Sequence, residues 1–232
     1  MPIKTLYKLE NFYNYPIHIN FHPAMFSSKS YKNISISTSK GSIKARYYQV
    51  PGAAKAVVMV GGCGGGYHNP VSGHFYPSLS SSLNKIGISS LHISYRDPGE
   101  LAESTYDLLE SLEFLKKEGV TMAGIVGWSF GGAVVCQGAG GDKKSSTSIV
   151  KAIATLATQS AGVGPIADAK GIASLFIHGN TDTCLPTRCS EYTYKLAKEP
   201  KKIKIVNDHH GFFDVGSEIE HDILDWFQKY II

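Results

Sequence analysis

The sequence predicts an α/β fold in which a mostly parallel, twisted sheet is covered by helices on both faces. Two observations support this prediction. First, the continuous apolar run at 56–60 is typical of a strand buried on both faces, and 88–95 is predicted to be another buried strand. Second, these segments alternate along the chain with longer segments of helical periodicity, such as 102–118. This alternation favours a parallel sheet, because each helix carries the chain back to the end where the next strand begins.

The remaining elements follow in chain order. Residues 34–37 and 43–50 alternate apolar and polar side chains on either side of Gly41, which predicts an antiparallel hairpin at a sheet edge. The further predicted strands are 56–60, 88–95, 124–127, 152–157, 174–177 and 202–206. The predicted helices are 76–86, 102–118, 130–137, 188–197 and 216–230, with a glycine-rich loop over 138–148.

The chain of 232 residues is long enough to bury one hydrophobic core. We expect residues 31–232 to form a single domain. Residues 1–30 combine many aromatic side chains with polar residues and prolines. We expect this segment to be an irregular arm that packs on the domain or lines a pocket.

The charge and the lengths of the apolar runs limit the partners that this protein is expected to have. The net charge of +4 is small, and the lysine clusters at 143–144 and 195–204 are best explained as solvated surface, so no nucleic-acid partner is predicted. No apolar run reaches the ~18 residues of a membrane-spanning helix, and residues 1–10 lack the apolar core of a signal peptide. We therefore expect a cytoplasmic protein without membrane contacts.

The cysteines show no metal-ligand spacing, which predicts free thiols and no metal site. They are Cys63, Cys136, Cys184 and Cys189. A disulfide between Cys184 and Cys189 is the less favoured alternative.

The most informative motif lies where the predicted strand at 124–127 turns into the helix at 130–137. Gly127-Trp128-Ser129-Phe130-Gly131 fits the pattern G-x-S-x-G, in which a serine occupies a sharp strand-to-helix turn. The pattern is short enough to occur by chance, but this position between a strand and a helix is where it presents a nucleophile. Such a serine has a strained backbone, and flanking glycines give the turn its room. Ser129 is the predicted nucleophile.

A nucleophilic serine needs a base to accept its proton and an acid to orient that base. In an open parallel sheet these groups come from loops at the carboxyl ends of strands. The loop after 174–177 contains Asp182, and the next such loop contains His209 and His210, with Asp208 as a second acid. Serine, acid and histidine in this chain order match the order expected for the motif.

These motifs resemble the α/β-hydrolases, and within that fold the small dienelactone-hydrolase-like group. The resemblance covers about residues 45–232 and rests on Gly127-Trp128-Ser129-Phe130-Gly131-Gly132, His178-Gly179-Asn180-Thr181-Asp182 and His210-Gly211-Phe212. In that family the second motif carries the triad acid and the third carries the base before Gly-Phe. The resemblance therefore implies Asp182 rather than Asp208 as the acid, and His210 rather than His209 as the base. His178 is expected to order the turn that holds the acid.

Backbone amides are expected to form an anion hole for the reaction. One donor is the amide of Phe130, directly after the nucleophile, and the other comes from the glycine-rich loop at 61–66. By position Cys63 is the predicted second donor and Gly64 the alternative. The family commonly has a His where this chain has Gly61, and the sequence departs from the family there.

Three residues near this loop and the serine are predicted to contact the substrate: Gly64, Tyr67 and Trp128. The loop also has a competing interpretation as a nucleotide site. It lacks the Lys-Ser/Thr ending of a phosphate-binding loop and the third glycine of a dinucleotide fingerprint, so no cofactor is predicted.

The resemblance implies hydrolysis of small, soluble carboxylic esters or lactones through an acyl-enzyme on Ser129. Only residues 158–173 separate the two strands between which hydrolases of this fold often carry a lid, which is too few for a helical cap domain. A small soluble substrate is therefore favoured over long-chain lipids. The same triad serves acyltransferases and thioesterases, and some proteins of this fold only bind ligands. The sequence leaves these alternatives and the oligomeric state open.

Overall fold

A computed structural model describes residues 31–141 and 145–231. The predicted N-terminal arm at 1–30 lies outside the described residues, and the boundary between arm and domain stays a prediction.

Eight strands form one sheet. They are β1 (Lys32–Thr38), β2 (Gly41–Tyr48), β3 (Lys55–Val60), β4 (Ser89–Ser94), β5 (Met122–Trp128), β6 (Val150–Leu156), β7 (Ala173–Gly179) and β8 (Lys201–Val206). Their spatial order is β1-β2-β4-β3-β5-β6-β7-β8. The predicted hairpin of β1 and β2 is confirmed, and β2 also runs antiparallel to β4. All other neighbouring strands are parallel.

The register brings the carboxyl ends of the parallel strands to one edge of the sheet. Val60, the last residue of β3, pairs with Gly127 near the end of β5. Gly179, the last residue of β7, pairs with Val206, the last residue of β8. The loops that follow these strands therefore meet at one edge, as expected for an open parallel sheet. These are the loops in which the sequence predicts the anion hole, the serine, the acid and the base.

Helices cover both faces of the sheet, as predicted. They are α1 (Phe75–Lys85), α2 (Leu101–Lys117), α3 (Phe130–Gly140), α4 (Arg188–Leu196) and α5 (Gly216–Tyr230). Side chains alternate between the faces of each strand, so Val58 joins the core beneath α2 and α3, whereas Val57 joins the core beneath α1 and α5. Within residues 31–141 and 145–231, no helix combines the length and apolar character needed to cross a bilayer.

Helix α3 continues three residues beyond the predicted end at Gln137, into the segment predicted to be a loop. Glycines disfavour a helix interior, but close packing requires them here. A Cβ atom at Gly138 would lie 2.6 Å from Cδ2 of Leu108, and one at Gly140 would lie 1.6 Å from the Pro165 carbonyl oxygen. Tertiary packing therefore outweighs the low intrinsic helix propensity of these glycines.

Candidate active site

Ser129 occupies the sharp turn between β5 and α3. Its backbone has φ 58° and ψ −118°, a conformation that non-glycine residues rarely adopt. The turn is held by the amide of Ser129, which donates to the carbonyl oxygen of Leu156 at 2.8 Å. This backbone strain is what the serine motif predicts for a nucleophile presented at the end of a strand.

The two flanking glycines are required by close contacts. A Cβ atom at Gly127 would lie 2.2 Å from the Gly131 carbonyl oxygen, and one at Gly131 would lie 2.5 Å from the Gly61 carbonyl oxygen. The strand, the helix and the glycine-rich loop at 61–66, here called the anion-hole loop after its predicted role, therefore approach one another closely. No side chain fits at either position. As the first residue of α3, Phe130 carries an amide without an intrahelical acceptor.

Asp182 lies in the loop after β7 with a fully buried side chain. Its Oδ1 accepts hydrogen bonds from the amides of Cys184 at 2.7 Å and Leu185 at 2.8 Å. Its Oδ2 lies 2.7 Å from Nδ1 of His210. Burial alone would raise the pKa of Asp182, but hydrogen bonds from His178, His210 and the Leu185 amide, together with the charge of His210, hold that pKa well below its usual range. Asp182 is therefore ionised at neutral pH.

The buried His178 contacts Asp182 and the residues around it. Its Nε2 lies 2.8 Å from the Leu185 carbonyl oxygen and 3.2 Å from Oδ2 of Asp182. Because both neighbours are acceptors, Nε2 carries the ring proton, and the hydroxyl of Ser190 donates to Nδ1 at 2.6 Å. This buried histidine bonds to the turn that contains Asp182, which agrees with the expectation that it orders that turn. Its bond to Ser190 also links the turn to helix α4. The sequence carried no signal for the role of Ser190.

Of the two adjacent histidines, His210 contacts Asp182. The neighbouring His209 makes other contacts. Its ring packs in a tilted contact with Phe213, with centroids 4.9 Å apart, and its Nδ1 accepts a hydrogen bond from the Gly211 amide at 3.1 Å. The alternative acid Asp208 is almost fully buried and accepts hydrogen bonds from the amides of three residues in its own loop. They are His209, Asp214 and Val215. Asp208 therefore holds the shape of the histidine loop.

Two hydrogen bonds tie the histidine loop to the other parts of the site. The indole Nε1 of Trp128 donates to the His210 carbonyl oxygen at 2.9 Å, and the two rings pack in a tilted contact with centroids 5.2 Å apart. The amide of Val71 donates to the Gly211 carbonyl oxygen at 2.8 Å. Val71 has φ 53°, which is strained for a β-branched residue. His210 is thus held by the residue before Ser129 and by the segment that follows the anion-hole loop.

The anion-hole loop runs beside the serine. A Cβ atom at Gly62 would lie 3.7 Å from Cβ of Ser129 and 3.5 Å from the Trp128 ring. The predicted donor Cys63 is the next residue and is exposed, as is Gly64. The amide of Gly65 donates to the Gly62 carbonyl oxygen at 3.4 Å, which closes this segment into a turn. The loop predicted to supply the second donor is therefore a tight turn adjacent to Ser129.

Tyr67, predicted to contact substrate, is half-buried at the end of this loop. The guanidinium of Arg46 lies 4.0 Å from the centroid of its ring, and the fully buried His92 lies edge-on to it at 5.1 Å. The next polar residue, Asn69, is almost fully buried, and its side chain bonds the Tyr67 carbonyl oxygen, the Gly73 carbonyl oxygen and the Tyr76 amide. Asn69 thus holds the loop against the start of α1. The sequence did not indicate this role.

Cys184 brings a thiol to the acid and the histidine. One ligand atom each from Asp182, Cys184 and His210 lie within 4.8 Å of one another. Burial, together with the charge of Asp182, raises the pKa of the Cys184 thiol. The thiol is therefore protonated at neutral pH and is not a competing nucleophile, because the thiolate is the reactive form.

A separate cleft lies between α4 and the segment that follows β6. Its volume is about 540 Å³, and its lining includes Arg188, Glu191, Tyr192 and Lys195. Ser129, Asp182 and His210 do not line it. This cleft is therefore separate from the predicted triad.

Solved structures of enzymes share this fold. A dienelactone hydrolase from Anabaena variabilis matches with a TM-score of 0.74 at 15% identity, over 88% of this chain and 100% of its own. Est1E from Butyrivibrio proteoclasticus matches with a TM-score of 0.72 at 16% identity, over 85% of this chain and 98% of its own. An esterase from Pyrococcus furiosus matches with a TM-score of 0.71 at 14% identity, over 88% of this chain and 92% of its own.

At these identities the likeness shows the fold alone, which is the predicted α/β-hydrolase fold, with an open, mostly parallel sheet. No protein-family model matches the sequence, and no curated protein matches it either.

Proposed function

We propose that this chain is a serine hydrolase that cleaves small, soluble carboxylic esters or lactones. One observation carries the proposal: Nδ1 of His210 lies 2.7 Å from Oδ2 of the buried Asp182, and the same histidine is bonded to Trp128, the neighbour of Ser129. An ionised acid paired with an imidazole beside a strained serine is the arrangement that activates a hydroxyl for acyl transfer.

In the proposed mechanism His210 accepts the proton of Ser129 as the hydroxyl oxygen attacks the substrate carbonyl. Asp182 keeps Nδ1 of His210 protonated, so that Nε2 is the basic nitrogen, and it stabilises the imidazolium that forms. The developing oxyanion is bound by the amides of Phe130 and Cys63. His210 then returns the proton to the leaving alkoxide, and an acyl-enzyme remains on Ser129.

Deacylation repeats these steps with water. His210 accepts a proton from the attacking water, the same amides bind the second oxyanion, and Ser129 leaves with the proton as the acid is released. Every proton transfer involves His210. No residue beyond the triad and the two amides is needed for the chemistry.

The proposed substrate class is supported by the short connection between β6 and β7. Residues 157–172 contain one short 3-10 helix, Gly164–Asp168, which packs against α3 where Gly140 meets Pro165. This connection adds no helical cap over the strand edge. Among the similar structures, Est1E has been solved with ferulic acid bound. Esters of small aromatic acids therefore belong in the substrate panel, beside aliphatic esters and lactones.

The test combines covalent labelling with turnover. A fluorophosphonate probe is expected to label the parent protein and the Ser217→Ala control, which removes an exposed hydroxyl from α5. It is expected not to label Ser129→Ala. Hydrolysis of a short p-nitrophenyl ester is expected to fall by about 10³-fold or more in Ser129→Ala, as for other triad nucleophiles. Equal rates for parent and Ser129→Ala would contradict the proposal.

The same panel separates the alternative reactions. Faster turnover of thioesters than of matched oxygen esters would indicate a thioesterase, and ester formation with an added alcohol would indicate an acyltransferase. Absence of labelling would indicate a binding protein of this fold. We also propose a cytoplasmic location, which is supported by the free state of Cys63, Cys136, Cys184 and Cys189.

A further inference from the structure

We propose that Asp182, Cys184 and His210 form a binding site for a zinc-like divalent cation, and that a bound cation inhibits the hydrolase. The inhibitory part rests on the proposed function, because two of the three ligands are its acid and its base. Cation binding itself does not depend on that function.

The first argument is geometric. One ligand atom from each of the three side chains lies within 4.8 Å of the other two, and Cys184 is exposed, so its side chain is free to adjust to an ion. The carboxylate is already fixed by the amides of Cys184 and Leu185, and it holds the imidazole at 2.7 Å. The carboxylate is therefore held in place before any ion arrives, and the imidazole lies directly beside it.

The second argument is the chemistry of the ligands. A sulfur, an imidazole nitrogen and a carboxylate oxygen form a set that Zn²⁺ accepts in tetrahedral sites, with the fourth position left for water. Thiolate selects against hard cations such as Mg²⁺ and Ca²⁺, which prefer oxygen ligands alone. The site is therefore expected to bind Zn²⁺, Cd²⁺ or Co²⁺. Binding releases the thiol proton, because the thiolate is the ligand.

The third argument concerns the consequence for the reaction. A cation bound at Nδ1 of His210 displaces the proton that this nitrogen shares with Asp182, which removes the bond that orients the imidazole. A cation bound at Nε2 occupies the lone pair that must accept the proton of Ser129. A cation bound at either ring nitrogen therefore has the same effect, since His210 can no longer act as the base.

Binding is tested with Co²⁺, because a thiolate bound to Co²⁺ produces a charge-transfer absorption band in the near ultraviolet. The band is expected in the parent protein and in Cys63→Ser, the matched control that removes the other exposed thiol. It is expected to disappear in Cys184→Ser, and His210→Ala is expected to bind Co²⁺ more weakly. No band in the parent protein, or a band that Cys184→Ser retains, would overturn the proposal.

Inhibition is tested by titrating Zn²⁺ against ester hydrolysis, with each variant compared with its own metal-free rate. Cys184→Ser is expected to raise the half-inhibiting Zn²⁺ concentration by at least about ten-fold, since even the loss of an outer-shell partner costs ~10–100-fold in affinity. Cys63→Ser is expected to have the same half-inhibiting Zn²⁺ concentration as the parent protein, whatever the substitution does to its metal-free rate. Equal inhibition of Cys184→Ser and parent would refute the inhibitory site. The Co²⁺ band remains a test of cation binding even if no hydrolase activity is found.

Discussion

His210 is held on three sides by residues from different parts of the chain. Asp182 fixes its Nδ1, Trp128 binds its carbonyl oxygen, and Val71 binds the carbonyl oxygen of the next residue, Gly211. Such restraint favours the transfer of a proton from the Ser129 hydroxyl to His210 in the proposed mechanism, because a small misplacement of reacting groups lowers the reaction rate by a large factor. In the proposed mechanism Trp128 positions His210, in addition to its predicted contact with substrate.

We expect Trp128→Phe to lower kcat by about ten-fold with little change in KM, since an aromatic ring is kept at this position while the indole donor to His210 is lost. Steady-state kinetics on a short ester measure this separation of kcat from KM. The matched control is Trp226→Phe. Within the described residues, the indole Nε1 of Trp226 has no hydrogen-bond partner. Equal kinetic effects of the two substitutions would contradict the positioning role of Trp128.

The turn between β5 and α3 depends on the missing side chain at Gly127. At this point α3 approaches β5 so closely that a Cβ atom would meet the backbone of Gly131 and a methyl group of Val135 at 2.6 Å. Backbone atoms cannot move aside as the end of a flexible side chain can. The whole helix must shift instead, and Phe130 and Ser129 shift with it.

We expect Gly127→Ala to destabilise the fold by about 2–3 kcal/mol, the usual cost of overpacking, and to reduce hydrolysis strongly. Urea denaturation followed by circular dichroism measures the free energy of unfolding. Gly164→Ala is the matched control, because a Cβ atom at Gly164 would meet nothing within 4 Å. The control is expected to change stability by about 0.5–1 kcal/mol at most, in the stabilising direction. A similar loss in both variants would contradict the packing argument.

Stability of the whole molecule at acid pH is linked to His92. This fully buried residue is enclosed by Arg46 of β2, by Tyr67, and by Tyr76 of α1. Among the described residues, neither of its ring nitrogens has a hydrogen-bond partner. Burial, and secondarily the charge of Arg46, lowers the pKa of His92 from 6.5 to about 3. The folded protein therefore keeps this ring neutral.

A lowered pKa in the folded state means that stability is complete above pH 6.5, the ordinary pKa of His92, and is lost as the pH falls towards 3. We expect His92→Phe, which retains an aromatic ring, to remove part of this loss. The difference in free energy of unfolding between parent and variant is expected to change by roughly 2–3 kcal/mol between pH 6.5 and 4.5. Urea denaturation across this range measures it. If the free energies of unfolding of parent and variant changed in parallel across this pH range, the lowered pKa of His92 would be contradicted.

Periodicity and local motifs were enough to predict most of the architecture. Continuous apolar segments such as Ala56–Val60 identified buried strands, and the serine motif identified the turn at Ser129, because each pattern depends on residues close together in sequence. The candidate acids and histidines were predicted by combining the chain order of motifs with the rule that loops of a parallel sheet meet at one edge. The structure agrees with that rule. The family resemblance then favoured Asp182 and His210, whose catalytic roles stay a prediction.

The remaining features depend on contacts between residues far apart in the chain. No local pattern indicates that Trp128 reaches His210, that Asn69 anchors the anion-hole loop, or that Cys184 lies beside His210. Such contacts depend on loop conformations and on packing between elements, as does the continuation of α3 through Gly138 and Gly140. The sequence alone therefore determined the fold class and which residue types meet at the strand edge. The family resemblance already favoured Asp182 and His210 over their neighbours. Only the tertiary structure brings those two side chains into contact, because folding sets the directions in which they point.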